Sequence, residues 1–229
     1  MGSFAVVVTH NRQQLLRECV AAIGPQVDTV IVIDNASDPP VRIADILFPE
    51  GPQRGHGTVL VSAADQPVNL PRLWNRGIGI AEKLFLTTED PWHIAVLCDD
   101  AIVPPGWFDA VVKAMADTGA SVGCSSPWGH DMPPTLKTAP DSDLMGRMTG
   151  WAWVLDPRTA VRPDPAMAFW WCDTDIDWQA RHGGGMVMIG GYPVENRLPN
   201  DHLTHIPGLA EQSGRDGEAF VAKWGLRPW

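Results

Sequence analysis

No stretch of the 229 residues approaches the ~20 consecutive apolar residues that a membrane-crossing helix requires. The apolar run from Phe4 to Val8 is too short for a signal peptide and breaks at Thr9-His10-Asn11-Arg12. Val6 stands where a myristoylation signal carries Ser or Thr. These absences predict a soluble, cytoplasmic protein without a membrane span. Basic residues are few: 17 Lys and Arg face 27 Asp and Glu, a formal net charge of −10 with no basic cluster. Such a surface repels a phosphate backbone, so a nucleic-acid partner is not expected. Cysteine is scarcer. Cys19, Cys98, Cys124 and Cys172 are widely spaced with no Cys-x-x-Cys pair, which speaks against a structural zinc or a disulfide framework and for four reduced thiols. Internal repeats and low-complexity tracts are also missing.

What is present suffices for a core. Hydrophobic residues make up 45% of the chain, and the length accommodates one large domain or one and a half ordinary ones. "FAVVVTH" is a short β-branched run; "NRQQLLRECVAAIG" follows with Leu15, Leu16, Cys19, Val20 and Ile23 on one helical face, Asn11 as candidate N-cap and Gly24-Pro25 as the stop. Strands are predicted at "TVIVID", "TVLVSAA" and "HIAVLCD", and helices at "LPRLWNRGIGIAEKLFL" and "GWFDAVVKAMADTG". Alternating helices and continuously apolar strands imply a mostly parallel sheet covered on both faces. In such a sheet a ligand sits outside the carboxyl ends of the strands, where Thr9-His10-Asn11, Asp34-Asn35 and Asp99-Asp100 fall. After residue 126, "PWGHDMPPTLKTAPDSD" reads as a long surface loop, followed by a strand, a short helix and another strand through Asn196.

The adjacent carboxylates of "VLCDDAIVPPGWF" allow two readings. Asp99 and Asp100 either cap the turn before Pro104 or hold a divalent cation such as Mn²⁺ or Mg²⁺, which takes oxygen ligands and bridges diphosphates through one or two carboxylates. Their companions extend the second reading. "VVVTHNR", "VIDNASD", "WNRGIGIA", "LCDDAIVPPGWF", "TGWAWVLDPR" and "CDTDIDWQARHGG" occur in the order in which similar segments occur in the family 2 glycosyltransferases of the GT-A fold. The sequence resembles that family over residues 4 to about 190. It departs from it at Cys98, where the first carboxylate of Asp-x-Asp is expected, and at Thr174, where an acidic residue is expected.

The resemblance implies an α/β GT-A fold, Rossmann-like, with a smaller acceptor-side extension. Residues 1–126 would form the nucleotide-sugar-binding half and residues 127–229 the acceptor-binding half of one domain. It implies an inverting, metal-assisted transfer of a hexose from a UDP- or dTDP-type sugar to a hydroxyl of a soluble glycan, small molecule or protein. Thr9, Asn11, Asp34 and Asn35 would then lie at the nucleoside, with the Asn35 carbonyl suited to an imide N–H; Asp34-Asn35-Ala36-Ser37 reads equally as an Asx-turn. Asn75 and Arg76 would border the donor, Arg76 being either a phosphate contact or an ordinary solvated residue. Asp100 would hold the metal, with Asp99 beside it and His205 or His202 from the tail, His205 preferred. Asp175 would be the general base. Asp177, two residues on, cannot share its helical face and reads as scaffold. Most of the 11 tryptophans must be core, while Trp151, Trp153, Trp170 and Trp171 flank the acceptor segment, where an indole can stack on a sugar. Two other functions remain compatible with these residues. One is a nucleotidyltransferase, which usually shows a Gly-rich basic first loop that "THNRQQ" lacks; the other is a catalytically degenerate GT-A domain that binds a sugar nucleotide or glycan.

Overall fold

The computed structural model describes residues 2–46, 57–85, 91–126, 129–140, 146–198 and 208–225. Along the chain come β1 (Gly2–Thr9), α1 (Gln13–Ile23), β2 (Thr29–Asn35), α2 (Ile43–Ile46), β3 (Gly57–Ala63), α3 (Leu70–Phe85), β4 (Trp92–Cys98) and β5 (Ala101–Ile102). They are followed by α4 (Trp107–Thr118), β6 (Val122–Ser125), β7 (Thr135–Lys137), β8 (Ala152–Leu155), α5 (Cys172–His182), β9 (Met186–Ile189), β10 (Glu195–Asn196) and α6 (Leu209–Trp224).

Successive side chains of a strand point to opposite faces, so a strand covered on both faces is apolar at every position. In β1, Ala5 and Val7 belong to one core while Phe4, Val6 and Val8 belong to the other. The first core receives Leu16 and Ile23 of α1 and Trp107 and Val111 of α4. The second receives Leu73, Trp74 and Ile78 of α3, Ile176 and Trp178 of α5 and Phe220 of α6. Between them lies an eight-stranded sheet of order β3-β2-β1-β4-β8-β6-β9-β7. β1 to β4 are parallel, as are β6 and β9, whereas β8 runs antiparallel to both its neighbours and β7 antiparallel to β9. The order reverses about β1, where β2 leaves to one side and β4 to the other. That is the switch point at which a ligand crevice opens in α/β sheets.

Three features differ from the sequence expectations. Asn11 is not the N-cap of α1, which starts one residue later with Arg12 at the cap position. Instead, Asn11 sits at φ 56 and its side-chain oxygen accepts the Asp38 N–H at 2.6 Å, tying the β1 exit to the β2 exit. The expected loop after residue 126 contributes an edge strand, β7, because Thr135–Lys137 pairs with β9 in register with Met186–Met188. Beyond Asn196 a full helix, α6, was not anticipated; its small and polar residues around Gly214 and Gly217 hide the helical period.

α3 lies close to the sheet at one glycine. A Cβ on Gly77 would collide with the branched carbons of Val6 in β1, both side chains of a packed interior having nowhere to shift. Gly77→Ala is therefore expected to destabilise the protein by about 1–3 kcal/mol through overpacking, even though alanine favours helix, and urea unfolding of the two proteins measures the difference.

Candidate active site

Thr9, Asn35 and Cys98-Asp99-Asp100 end their strands on one side of the sheet, and a cavity of about 840 Å³ opens there. It runs from Asn35 and Gln66, beyond the ends of β2 and β3, past Asp99 and Asp100 to Phe169–Thr174 at the start of α5. Asp99 and Asp100 are 4% and 6% exposed, so they are carboxylates taken largely out of water. Asp99 is held on both oxygens: Thr9 Oγ1 donates to Oδ2 at 2.7 Å and Arg12 Nη1 donates to Oδ1 at 3.2 Å. Arg12 lies 3.6 Å from Asp100 Oδ2 as well, so one guanidinium spans the pair. Burial pushes the Asp99 carboxyl above its ordinary range, against the opposing pull of Arg12 and Thr9. Cys98, on the same wall, has its thiol pushed well up by burial, with the charges of Asp100 and Asp99 adding to the shift. It is a neutral thiol, and a hard oxygen-seeking cation finds no ligand in it.

The two carboxylates suit a cation that takes one or two protein oxygens and completes its shell with substrate phosphates and water. Among the described residues no group of three or more His, Cys, Asp or Glu side chains converges on a metal-sized site. His202 and His205 lie outside the described residues.

The other expected site residues divide. Asn35 lines the cavity with its amide clamped: Oδ1 accepts the Asp65 N–H at 2.8 Å and Nδ2 donates to the Asp65 carbonyl at 3.3 Å. Oδ1 has a second lone pair beyond the one that meets Asp65. Asp34 is turned inward and organises its own loop, accepting N–H groups from Ser37 at 3.1 Å and Val41 at 3.0 Å; this is the Asx-turn reading. Asn75 does not reach the cavity, because it donates to the Pro163 carbonyl at 2.7 Å and fastens α3 to the loop before α5. Arg76 is exposed on the outer side of α3, and Asn11 is exposed at the loop described above.

The structure turns Asp175 away from the cavity. It is fully buried, and Gln179 Nε2 at 2.6 Å, Lys223 Nζ at 2.8 Å and Trp224 Nε1 at 2.8 Å all point at its carboxylate. The last two come from α6, the helix that covers this face of α5. Asp177 faces a different direction and forms a two-bonded ion pair with Arg181, each 1% exposed, with both N···O distances 2.8 Å. Arg181 further donates to the carbonyls of Ala139 and Gly146, so this pair fastens the chain around β7 to α5. The carboxylate of α5 that lines the cavity is Asp173. A glycine at 150 makes its approach to the β8 entry possible, since a Cβ there would lie 3.1 Å from the Asp173 Cβ.

Arg12, Arg147, Asp173 and Gln66 also line this cavity and were not singled out from sequence. Arg12 stood within the quoted "VVVTHNR", and Asp173 within "CDTDIDWQARHGG"; neither segment says which of its polar residues turns inward.

A family model described as glycosyl transferase family 2 matches residues 4–162. The chain belongs to glycosyl transferase family 2. Among solved structures the family 2 chain is similar to S. aureus TarS 1-349, with TM-score 0.60 and 8% identity over 99% of this chain and 72% of that one. TarS 1-349 in complex with UDP-GlcNAc gives TM-score 0.63 and 8% identity over 96% and 67%. GalNAc-T7 with UDP, GalNAc and Mn²⁺ gives TM-score 0.58 and 13% identity over 86% of this chain and 44% of that one. At such identities the likeness establishes the shared GT-A fold. A search of curated proteins finds no match. No helix among the described residues is long and apolar enough to cross a membrane.

Asp175→Asn removes the charge that Lys223 meets inside the protein while keeping the shape. It is expected to cost about 1–3 kcal/mol of stability, the cost of leaving buried hydrogen-bonding groups poorly matched. Chemical unfolding of the two proteins checks the loss.

Proposed function

We propose that this family 2 protein transfers a hexosyl group from a UDP- or dTDP-type sugar to an acceptor hydroxyl, with inversion at C1 and with divalent-metal assistance. The observation that carries the reading is the single cavity that has Asn35 at one end, Asp99 and Asp100 at its centre and Asp173 at the start of α5. The nucleotide-sugar complexes in which TarS has been seen, with UDP and with UDP-GlcNAc, support a nucleoside-diphosphate donor. Residues 1–126 supply the nucleotide side and the later residues the acceptor side. The four free thiols support a reducing, cytoplasmic setting.

Each polar group has a task in this reading. Asn35 and the Asp65–Gln66 backbone meet the base, and a uracil or thymine imide N–H finds the remaining lone pair of Asn35 Oδ1. Arg12 and Arg147 bring positive charge to the cavity, where the diphosphate gains negative charge as it departs. Asp100, with Asp99 beside it, would hold a Mn²⁺ or Mg²⁺ ion, which supplies further charge neutralisation to the leaving diphosphate; the Mn²⁺ complex of GalNAc-T7 supports that choice of metal. Asp173 takes the acceptor's hydroxyl proton. The oxygen's electron pair then forms the new bond to C1 from the face opposite the nucleotide, and the old C1–O bond breaks with its electrons going to the diphosphate.

A second reading, a domain that binds the sugar nucleotide without turnover, is favoured by one feature, the neutral Cys98 thiol where the family resemblance expects a carboxylate. Asp173 separates the two. Asp173→Asn is expected to retain UDP affinity by calorimetry and to lose roughly 10²–10⁴-fold in sugar-nucleotide turnover, the usual span of general-base catalysis. Equal turnover in both proteins would remove the base role. Absence of turnover in either, with UDP bound and a broad acceptor panel supplied, would favour the binding domain.

The donor end is tested separately. In a thermal-shift panel with Mn²⁺, UDP or dTDP should stabilise the protein more than ADP or CDP, a ligand at 100 times its Kd adding ~2.7 kcal/mol. Asp100→Ala should abolish the Mn²⁺-dependent part of that shift while the protein stays folded. An ADP-first ranking would overturn the base assignment.

A further inference from the structure

The carboxylate pair of the cavity is held by a cation that belongs to the protein. Arg12 follows β1 at the cap position of α1, and its guanidinium reaches across to the residues beyond β4: Nη1 lies 3.2 Å from Asp99 Oδ1 and 3.6 Å from Asp100 Oδ2. Both carboxylates are buried, so their mutual repulsion is poorly screened and the guanidinium stands as their counter-ion.

This ion pair is built differently from the other buried one. Arg181 is 1% exposed and locked onto Asp177, whereas the Arg12 side chain is 30% exposed and lines the cavity. The task of Arg12 in α1 falls to its backbone, whose carbonyl accepts the Leu16 N–H at 2.9 Å. Its side chain is therefore able to turn within the cavity without disturbing the helix or the core. Asp99 stays anchored when it does, because Thr9 Oγ1 donates to Oδ2 at 2.7 Å.

A divalent cation needs the oxygens that Arg12 holds. Taken up on Asp100, it would meet a guanidinium 3.6 Å from the same carboxylate, and two cations so close repel each other. Little else favours the metal: among the described residues no group of three His, Cys, Asp or Glu converges, and the neighbouring Cys98 thiol suits a softer ion. A diphosphate has the opposite needs. Its oxygens are repelled by the carboxylates, fit the planar fork of an arginine, and supply the ligands that a cation on two carboxylates lacks.

We infer that Arg12 is an exchangeable counter-ion, which occupies the carboxylates until a divalent cation takes them and then turns to the diphosphate of the donor. This rests on the glycosyltransferase reading above. Metal and nucleotide each remove an obstacle to the other, and that coupling is reciprocal. An Arg12 that merely braced the carboxylates for the metal would act with the opposite sign, since its loss would loosen the metal's ligands.

The experiment titrates Mn²⁺ into the full chain without nucleotide, free Mn²⁺ being read by electron paramagnetic resonance and binding heat by calorimetry. Arg12→Gln should bind Mn²⁺ about tenfold more tightly than the wild type, the scale of one surrendered charge-assisted hydrogen bond. Arg12→Lys, whose single ammonium cannot span two carboxylates as a fork does, should fall between them. With UDP saturating, the advantage of Arg12→Gln should vanish, because the arginine has then already turned away. In EDTA, UDP should bind Arg12→Gln about tenfold more weakly than the wild type. No Mn²⁺ binding by either protein, or equal or weaker binding by Arg12→Gln, overturns the inference. So does an advantage that UDP leaves undiminished, which marks a fixed charge, or an unchanged UDP affinity in EDTA. Circular dichroism checks folding, and if Arg12→Gln does not fold, the same comparison of Arg12→Lys with the wild type decides. A wild-type protein that binds UDP neither in EDTA nor with Mn²⁺ overturns the glycosyltransferase reading itself, and the nucleotide-free Mn²⁺ titrations then decide whether Arg12 competes with metal.

Discussion

A sheet covered by helices on both faces leaves its strands no place for charge except their ends. β1, β2 and β4 are apolar at most of their buried positions, and the polar residues at or just beyond their ends, Thr9, Asn35, Asp99 and Asp100, gather along one edge. Two carboxylates so close together and so little exposed repel one another and lose hydration, and the protein answers with Arg12 between them and Thr9 against one of them. The rest of the cavity is arranged around that charge. Cys98 stays a neutral thiol because it is buried beside the same pair, and the single Arg12 guanidinium offsets only part of the charge of the two carboxylates.

α6 shapes the other end. Its Asp216 gathers three backbone N–H groups of the segment before α5, its Lys223 and Trp224 engage Asp175, and its Phe220 supports Trp171 and Trp178. These contacts settle which face of α5 is covered. Residues 173 and 175 lie on different faces of the helix, so fastening Asp175 under α6 leaves Asp173 turned to the cavity. Asp177 and Arg181, four apart, form a buried pair that anchors the chain around β7. Three carboxylates within five residues thus have three different surroundings, and only one of them is placed to meet a ligand.

Much of the architecture could be read from the chain because strands and helices announce themselves by period. "FAVVV", "VIVI" and "IAVLC" are continuously apolar because both faces are buried, and "GWFDAVVKAMADTG" repeats at helical spacing because one face is. The order of these segments carried the family resemblance. α6 escaped because glycines at 214 and 217 and a largely polar surface mask its period, and β7 escaped because three residues of an edge strand give no pattern at all. Asn75, Arg76 and Asp34 were placed by analogy of position, and their side chains turn to a loop carbonyl, to solvent and to a turn respectively.

Sequence by itself determined the α/β class, the run of parallel strands and the clustering of polar residues at strand ends, because local periodicity and burial on two faces are written into the order of residues. Only the tertiary structure decided which of those polar residues turn inward. That choice depends on what packs against each element: Arg12 reaches Asp99 and Asp100 across the β1–β4 pair, and α6, more than thirty residues after Asp173, takes up Asp175 and leaves Asp173 to the cavity. Contacts between elements so far apart in the chain leave no local trace in it.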